Sequence, residues 1–448
     1  MVKELFAALP DDPAPPLADG YLDEVLVRGR RSVRRRRLAN AGVWAVVLLA
    51  LAALVMPTVP LDARPAAPAR HPSLPDRFAG YSLLTSSVER SAPGRAIAIY
   101  GYGNGETFNM FQPLVVGADA DTYRRVGAME ERGGALGLLS PDGTRVLVGD
   151  DRGATGDLVL VELTSGRRRT IALGAPVGVR LLAWSPDGRY VAYSAAPIGE
   201  SDGSIDFVES EVLRHGTLRL LDVASGRSVE LGSLSGVWTA AFAPDGARVA
   251  VQVAAQVHLL DLNGHEDGVV ALDSGRGLVA GVGWSPDGRF LATAPWTGGS
   301  EHGYFLTDGG DVQFVPVAPQ ATPPGAVQDV VRLLGWRDAG RVVAATVDSP
   351  GGRLSLSEID LGSGQRRVLS RFDTGKSCEL GMQHCEVYDL QLAGGLLPDL
   401  AVRHAGSPDR GPWPWMLRIP AAVLLGGALL LWWRLGRARR RRLDTRTA

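Results

Sequence analysis

The sequence contains few histidines and cysteines, and none of them stands in a recognisable metal- or cofactor-binding pattern. Its seven histidines are scattered over the 448 residues without a metal-ligand spacing, and there are only two cysteines. It contains neither a glycine-rich phosphate-binding loop nor a dinucleotide-binding fingerprint. We therefore expect neither a bound metal nor a cofactor.

The scarcity of cysteine leaves one pair to interpret. Cys378 and Cys385 stand at the two ends of the segment CELGMQHC. In an oxidising compartment, an even pair of cysteines predicts a disulfide, which in this segment closes a short loop. The alternative adds His384 as a further ligand of a metal ion, although no fourth ligand stands nearby in the sequence.

Two long stretches of the sequence lack charge. Residues 38–61 contain no charged side chain, and Arg418 is the single charged residue in 411–433. Each stretch is apolar over about 20 residues, the length that a helix needs to cross the hydrocarbon core of a bilayer. Tryptophans at both ends of the second stretch are typical of interfacial anchors. We predict transmembrane helices at 39–60 and 413–433.

Basic clusters flank both predicted spans and indicate their orientation. RGRRSVRRRR precedes the first span, and RLGRARRRR follows the second. Because arginine-rich flanks stay on the cytoplasmic side, we expect both termini in the cytoplasm and the long middle region outside the cell membrane. The alternative is that the first span is a cleaved signal peptide, although so long a basic lead is unusual for one.

The resulting organisation has seven segments. They are a basic cytoplasmic lead (1–38), a transmembrane helix (39–60), a Pro/Ala-rich tether (61–94), a globular region (95–397), a second tether (398–412), a transmembrane helix (413–433) and a basic tail (434–448). The part between the basic lead and the basic tail carries 32 basic and 41 acidic residues. Because an acidic surface repels phosphate backbones, nucleic acid is not an expected partner.

A repeated motif dominates the globular region. LLAWSPDGRYVAYS recurs as LGLLSPDGTRVLVG, AAFAPDGARVAVQ and VGWSPDGRFLATA, and more loosely as LLGWRDAGRVVAAT. Each copy predicts an inner strand, a type I turn followed by a left-handed glycine, and a return strand. The turn residues are Pro141, Asp142, Gly143, Pro186, Asp187, Gly188, Pro244, Asp245, Gly246, Pro286, Asp287 and Gly288. Copies about 40 to 60 residues apart, with about four strands each, predict a β-propeller.

The motif WSPDGR…VAY…LRLLDVASG resembles the blades of WD-repeat and TolB-type propellers, over about residues 80–395. The opening GRAIAIYGYG…PLVVGADADTYRRV and the basic lead also resemble actinobacterial membrane-anchored propeller proteins. The resemblance implies the fold and says little about function, because such blades serve many unrelated tasks.

The number of strands predicts six blades. Copies of the motif begin blades two to six, and the region from GRAIAIYGYG to YRRVG supplies a blade that lacks its inner strand. The spare strand CEVYDLQLA is expected to complete that blade and close the ring, which removes both sheet edges. A seventh blade forms if residues 78–95 pair as well. The predicted fold class is therefore all-β, a propeller of six or seven blades flanked by two single transmembrane helices.

If the closing strand is the innermost one, the chain enters and leaves the propeller on the face that carries the repeated turns. Both tethers then start from that face, so we expect it to point toward the membrane. The irregular loops of the opposite face are then the candidate binding surface, since long loops on a rigid scaffold commonly carry function. The candidate residues are Tyr102, Phe108, Phe111, Asp150, Asp151, Glu200, Asp202, Asp206, Trp296, Glu301 and His302. The acidic insertion at 196–216 is an alternative cation site, but its spacing matches no EF-hand loop and we expect solvated carboxylates.

Enzymatic signatures are weak. GESDG fits the nucleophile motif G-x-S-x-G, but that motif acts at a strand-to-helix turn of an α/β domain, for which the chain has no room. We predict no catalytic residue and a membrane-anchored extracytoplasmic propeller that binds a protein, peptide or envelope ligand as a scaffold or sensor. The alternative is a hydrolase or lyase that uses carboxylates on the outward face or in the channel. No pattern in the sequence indicates an oligomeric state.

Overall fold

The computed structural model describes residues 71–80, 82, 84–103, 112–132, 137–150, 152–199, 205–296, 310–318, 320–347, 354–372, 386–412 and 424–434. The chain divides into two compact units. One is Asp62–Trp413, and the other consists of Met1–Leu61 and Pro414–Ala448. Every strand among the described residues belongs to the first unit.

Strands make up most of the described part of the first unit. In chain order they are β1 (Ser73–Pro75), β2 (Arg77–Phe78), β3 (Ala96–Gly103), β4 (Gln112–Gly117), β5 (Tyr123–Arg125), β6 (Gly137–Leu139), β7 (Arg145–Val148), β8 (Thr155–Glu162), β9 (Arg168–Trp184), β10 (Tyr190–Ala196), β11 (Thr217–Asp222), β12 (Arg227–Ser235), β13 (Val237–Phe242), β14 (Arg248–Val253), β15 (Gln256–Asp261), β16 (Glu266–Ala271), β17 (Arg276–Leu278), β18 (Phe290–Pro295), β19 (Gly310–Pro316), β20 (Val327–Asp338), β21 (Arg341–Val347), β22 (Leu354–Asp360), β23 (Arg366–Phe372), β24 (Glu386–Leu392) and β25 (Ala401–Arg403). The helical elements are α1 (Gly127–Glu131), α2 (Ile205–His215), a 3₁₀ turn at Gly394–Leu396 and α3 (424–434).

The strands pair antiparallel in four-stranded groups, each of which begins with an inner strand. Group 1 is β24-β3-β4-β5, group 2 is β6-β7-β8-β9, group 3 is β9-β10-β11-β12, group 4 is β13-β14-β15-β16, group 5 is β17-β18-β19-β20 and group 6 is β20-β21-β22-β23. The long strands β9 and β20 serve twice. The first half of each is the outer strand of one group, and its second half is the inner strand of the next.

The repeated turn has the predicted geometry. The glycines Gly143, Gly188, Gly246 and Gly288 are all left-handed, with φ of 69°, 68°, 68° and 72°. In group 3, the hydroxyl of Ser185 donates to Asp187 Oδ1 (2.6 Å) and accepts the N–H of Tyr190 (2.8 Å). The same serine bonds recur in groups 2 and 5. The serine and aspartate of the motif therefore tie the turn to the return strand.

Successive side chains of a strand point to opposite faces of the sheet, so apolar side chains can be buried on both faces of a group. In β14, Val249 and Val251 lie in a core cluster shared with group 3, whereas Ala250 lies in a cluster shared with group 5. Equivalent clusters join groups 1 and 2, 2 and 3, 5 and 6, and 6 and 1. Each group is packed between two neighbours and the last packs on the first, which is the architecture of a β-propeller.

The predicted closing strand is present in the sheet that joins the beginning and the end of the propeller. β24 pairs antiparallel with β3 and is the inner strand of group 1. Gln391 of β24 also reaches the next group. Its side-chain amide accepts the N–H of Leu139 (3.1 Å) and donates to the carbonyl of Gly137 (2.8 Å), so it links the inner strands of groups 1 and 2.

The segments expected as tethers, 61–94 and 398–412, contain strands that pair with one another and with the propeller. β1 pairs in parallel with β25, and β2 pairs in parallel with the outer strand β23. The guanidinium of Arg403 contacts both Asp121 Oδ1 (2.8 Å) and the hydroxyl of Ser73 (3.0 Å). We call β1, β25 and Arg403 the terminal clasp, because together they hold the first and last described strands side by side.

The acidic insertion differs from the expected loop because it contains α2. Val208 and Val212 of this helix pack on Ala196 at the end of β10. Among the residues that the structure describes, no helix combines the length and the hydropathy needed to cross a bilayer. The predicted span 39–60 lies outside the described residues, and only 424–433 of the second span is described.

Candidate binding site in the central cavity

A cavity of about 630 Å³ lies at the centre of the propeller. Every group contributes residues of its inner strand to the lining: β24, β6, the second half of β9, β13, β17 and the second half of β20. This volume falls in the range of about 300–1,000 Å³ that is typical of small-molecule sites in proteins. The cavity is therefore large enough to hold a ligand or part of one.

The two ends of the cavity differ in chemistry. The inner strands run toward the repeated turns, and the lining at this end includes Pro141, Pro186, Pro244 and Pro286. The lining at the opposite end, where the inner strands begin, includes Asp150, Arg180, Glu209, Thr239 and Arg332. We call these the turn end and the polar end of the cavity.

Five tryptophans line the cavity: Trp184, Trp238, Trp284, Trp296 and Trp336. Two of them bond to a neighbouring group. Trp184 Nε1 donates to the carbonyl of Leu138 (3.1 Å), and Trp336 Nε1 donates to that of Val282 (2.8 Å). In these two copies of the motif, the tryptophan therefore joins its group to the preceding group and contributes to ring closure.

Trp238 and Trp296 form a stacked pair at the polar end. Their ring centroids are 5.0 Å apart and their planes differ by 12°. Trp238 belongs to the beginning of β13, and Trp296 directly follows β18. A Cβ atom at Gly277 would lie 2.9 Å from the ring of Trp296, so this glycine permits the ring to lie against β17.

Helix α2 brings a carboxylate to the polar end. Glu209 Oε1 lies 3.0 Å from Arg180 Nη1 of β9, and the two side chains are 14% and 29% exposed. Gly216 follows the helix, where a Cβ atom would lie 2.1 Å from Ser194 Oγ of β10. The helix can therefore end close to the sheet and hold Glu209 over the cavity.

Asp389 supplies a second ion pair in the cavity wall. It lies beside a β-bulge of β24 with φ of 46°, a left-handed conformation that costs free energy for a non-glycine residue. Its Oδ1 is 3.3 Å from Arg332 Nη1, and its Oδ2 accepts from Gln391 Nε2 (3.1 Å). Burial raises the pKa of the Asp389 carboxyl above its ordinary value, and Arg332 offsets only part of this effect.

Five buried polar atoms of the lining residues make no hydrogen bond to any described residue. They are Arg180 Nη1, which lies in the ion pair with Glu209 but outside hydrogen-bond geometry, Glu209 Oε2, Thr239 Oγ1, Trp284 Nε1 and Trp296 Nε1. A buried donor or acceptor without a partner costs about 1–3 kcal/mol, and native proteins keep few of them. Trp284 directly precedes a repeated turn, whereas Arg180, Glu209, Thr239 and Trp296 belong to the polar end. The unpartnered atoms of these four residues mark the polar end as a candidate site for a hydrogen-bonding ligand.

The structure brings two of the predicted binding residues to the cavity. Asp150 follows β7 and Trp296 follows β18, both at the polar end. Tyr102 is a correction, because it belongs to β3, is 1% exposed and packs against Tyr100 in the core between groups 6 and 1. It therefore cannot belong to an exposed binding loop. Asp206 lies at the beginning of α2.

The remaining predicted residues lie outside the described part of the chain. They are Phe108, Phe111, Asp151, Glu200, Asp202, Glu301, His302 and the two cysteines Cys378 and Cys385. Within the described ranges, no group of three or more histidine, cysteine or acidic side chains is suited to hold a metal ion.

The predicted site omitted several lining residues that belong to inner strands. These are Arg180, Trp238, Thr239, Arg332 and Asp389. Inner strands read as core in the sequence, so their polar members received no functional assignment. One signal was available: a charged side chain within an otherwise apolar strand must be paired or solvated, as Asp389 is by Arg332.

The fold defines the class of the protein: a β-propeller whose inner strands enclose a central cavity. A family model for the WD domain, G-beta repeat, matches residues 256–302, which begin with β15 and include β18. This agrees with the resemblance of the repeated motif to WD-type blades.

The chain is also similar to several solved structures. TolB from Acinetobacter baumannii is 15% identical over 66% of this chain and 65% of that chain, with a TM-score of 0.40. A putative TolB from Agrobacterium tumefaciens is 14% identical over 67% and 99%, with a TM-score of 0.37. An oligogalacturonate lyase in complex with manganese is 15% identical over 71% and 90%, with a TM-score of 0.40. The match therefore spans less than two thirds of the Acinetobacter TolB. No curated protein sequence matches the chain.

Proposed function

We propose that the chain is a membrane-anchored extracytoplasmic propeller of six blades, which binds a protein, peptide or envelope ligand and serves as a scaffold or sensor. The ligand binds at the polar end of the central cavity. The observation that carries this proposal is the cavity wall, where two ion pairs, a tryptophan stack and unpartnered polar atoms meet at one end.

The blade count is supported by groups 1 to 6. Six core clusters join these groups in an order that returns from group 6 to group 1. A seventh blade needs further strands from residues 78–95. Of the described residues in that range, Phe78 belongs to β2, which pairs with group 6, and Ser87 makes an isolated bridge to Arg125.

Membrane anchoring is supported by the uncharged stretches and by α3. Its exposed apolar side chains are Leu424, Leu425, Leu429, Leu430, Leu431 and Trp432. A helix that exposes large apolar side chains on several sides is unfavourable in water and stable in lipid. Together with the basic clusters beyond both spans, this supports a double-pass protein with both termini in the cytoplasm.

The orientation of the propeller is supported by the terminal clasp. Arg403 donates to the carbonyl of Ala120 (2.9 Å), which lies in the turn between β4 and β5. β4 runs back toward the turn end, so this turn is on the same side as the repeated turns. Ser73 and Arg403, the clasp residues that lead toward the two predicted spans in the sequence, are therefore near the turn end, and the polar end of the cavity lies on the opposite side of the propeller.

Photo-crosslinking in intact cells tests where the ligand binds. The photoreactive residue p-benzoyl-phenylalanine replaces Asp150 at the polar end or, as a matched control, Asp245 in the repeated turn of group 4. We expect ligand adducts, measured as a mass increase of the purified chain, at position 150 and not at position 245. No adduct at position 150, or equal adducts at both positions, would contradict the proposal.

A hydrolase or lyase is the second candidate function, and Asp389 is the observation that favours it. A cavity carboxyl with a raised pKa is suited to general acid–base catalysis. The test is to incubate the full chain with envelope-derived peptides and oligosaccharides and to analyse the products by mass spectrometry. Turnover that Asp389→Asn abolishes would support an enzymatic function. Equal turnover by both proteins would show that Asp389 is not the catalytic acid or base.

A further inference from the structure

The ionisable groups that line the cavity balance in charge. The acidic ones are Asp150, Glu209 and Asp389, and the basic ones are Arg180, Arg332 and Arg337. Two pairs are formed across the wall, and Arg337 is engaged by Glu358 (2.8 Å). Asp150 has no basic partner among the described residues, so the wall keeps one carboxylate outside these ion pairs. An anionic ligand finds no uncompensated positive charge there, and capturing one partner of an ion pair leaves the other unpaired. The pairing disfavours an anionic ligand and favours one that offers both donors and acceptors.

The stacked tryptophans add an apolar surface beside these polar groups. The rings of Trp238 and Trp296 are too close, at 5.0 Å, for a ligand to enter between them. They therefore act as one rigid wall rather than as a cage around a cation. A ligand that packs on this wall needs one apolar face, and it needs polar groups at its edge to reach the two ion pairs.

We propose that the polar end of the cavity binds a neutral saccharide. A pyranose ring has an apolar C–H face for the tryptophan wall and a rim of hydroxyl groups, each both donor and acceptor. Adjacent hydroxyls of a sugar can donate to the two carboxylate oxygens of Glu209 and accept from the N–H groups of Arg180. These two side chains lie side by side, with 3.0 Å between Glu209 Oε1 and Arg180 Nη1. This inference names the ligand of the binding site proposed above and rests on that function.

The unpartnered polar atoms fit the same ligand. Thr239 is 3% exposed, and its hydroxyl makes no hydrogen bond to the described residues. Thr239 lines the cavity, and the indole N–H of Trp296 and the second oxygen of Glu209 belong to lining residues of the same end. A ligand rich in hydroxyls supplies partners of both kinds, which a purely apolar ligand does not.

Titration of the full chain with defined trisaccharides tests the inference. The protein is purified in a zwitterionic detergent, since alkyl glycosides carry sugar headgroups that compete for the site. The neutral probes are chitotriose, mannotriose and maltotriose, and trigalacturonic acid is the anionic comparison. We expect saturable heat and a change of tryptophan emission with at least one neutral probe, and weaker binding of the anionic one.

Two threonine variants separate binding from stability. Thr239→Val removes a hydroxyl without a partner, so we expect an unchanged or higher melting temperature and an affinity lower by about fivefold to tenfold, the loss of one hydrogen bond. Thr346 is the matched control. It is also buried, but its hydroxyl bonds to Ser357 (2.9 Å) and it does not line the cavity. Thr346→Val is expected to lower the melting temperature and to leave the affinity unchanged.

Three results would overturn the saccharide site. They are no binding of any neutral probe, tighter binding of trigalacturonic acid, and saccharide binding that Thr239→Val leaves unchanged. Failure of the inference and failure of the proposed function are distinguishable. A peptide or protein adduct at position 150 without saccharide binding leaves the binding function in place and changes the ligand class, whereas adducts at position 245 contradict the function itself.

Discussion

At the scale of single residues, tryptophan has two tasks in this protein. Trp184 and Trp336 bond to the preceding group, and Trp238 and Trp296 form a wall of the cavity. Trp284 has the repeat position of the first pair, but its indole N–H has no partner among the described residues. The same side chain thus contributes to ring closure in some groups and to the candidate site in others.

Replacing tryptophan by phenylalanine at two equivalent positions measures the contribution of the bond between groups. Trp184→Phe removes the donor to the partly buried carbonyl of Leu138, so we expect the free energy of unfolding to fall by about 0.5–1.5 kcal/mol more than in Trp284→Phe. The pair is well matched, since both rings are buried and an arginine lies over each at 5.4 Å. Denaturant unfolding measures the difference, and equal losses would show that the bond adds nothing.

Asp389 should make stability depend on pH. Its pKa is raised in the folded protein, so between the ordinary value of about 3.9 and the raised value the unfolded chain has lost a proton that the folded protein keeps. Unfolding then releases a proton, and stability falls as pH rises through this window. We expect the melting temperature of Asp389→Asn to fall less steeply with pH than that of the unchanged protein. Parallel curves for the two proteins would contradict a raised pKa.

At the scale of elements, the repeated turn positions one group against the next. Gly143 and Gly288 occupy the same place in two turns and share a left-handed conformation. Their surroundings differ: a Cβ atom at Gly143 would lie 2.0 Å from the carbonyl oxygen of Ala96, whereas none of the surrounding atoms lies within 4 Å at Gly288. Gly143 therefore combines a turn conformation with a close contact to β3, the strand that β24 closes upon.

Alanine substitution separates these two requirements. In Gly288→Ala, the new side chain has space and only the left-handed backbone conformation is unfavourable. We therefore expect a loss of about 1–2 kcal/mol in the free energy of unfolding. Gly143→Ala must also displace backbone, and its loss should be at least twice as large. Thermal unfolding of both variants measures the ratio. Similar losses would mean that β3 moves freely and that closure at this point is not tight.

The terminal clasp depends on one arginine. Arg403 contacts Asp121, two carbonyls of the β4–β5 turn and Ser73. Lysine keeps the charge but cannot reproduce a planar fork of donors, so Arg403→Lys should lower the melting temperature by several degrees and speed protease cleavage near residues 71–78. A matched substitution, Arg227→Lys at the exposed edge of β12, should change neither. Unchanged cleavage in Arg403→Lys would mean that β1 is held by other contacts.

Most of the propeller could be predicted from the sequence because its signals are local. The turn motif, the two-residue period and the spare strand at 385–393 each specify strands and their neighbours. Helix α2 could not be predicted, since its acidic residues indicate solvated loop and its packing depends on Ala196 of another element. The clasp and the pair Arg332–Asp389 join residues far apart in the chain, so no local pattern contains them.

At the scale of the whole molecule, ring closure creates the candidate site. No single group encloses a cavity, and only the meeting of the inner strands places Trp238, Arg180 and Arg332 around one space. Closure also brings the first and last strands of the propeller together in the terminal clasp. We propose that the turn end of the propeller faces the membrane and that the polar end is open to a ligand outside the cell.

Thiol labelling in intact cells tests that claim most directly. In a Cys378→Ser, Cys385→Ser background, single cysteines are introduced as Gly199→Cys beside the polar end, Ala247→Cys in a repeated turn and Asp12→Cys in the basic lead, and a membrane-impermeant maleimide is added. The account predicts fast labelling at 199, slower labelling at 247, and labelling at 12 only after permeabilisation. Labelling at 12 in intact cells, protection of 199, or equal rates at 199 and 247 would contradict it.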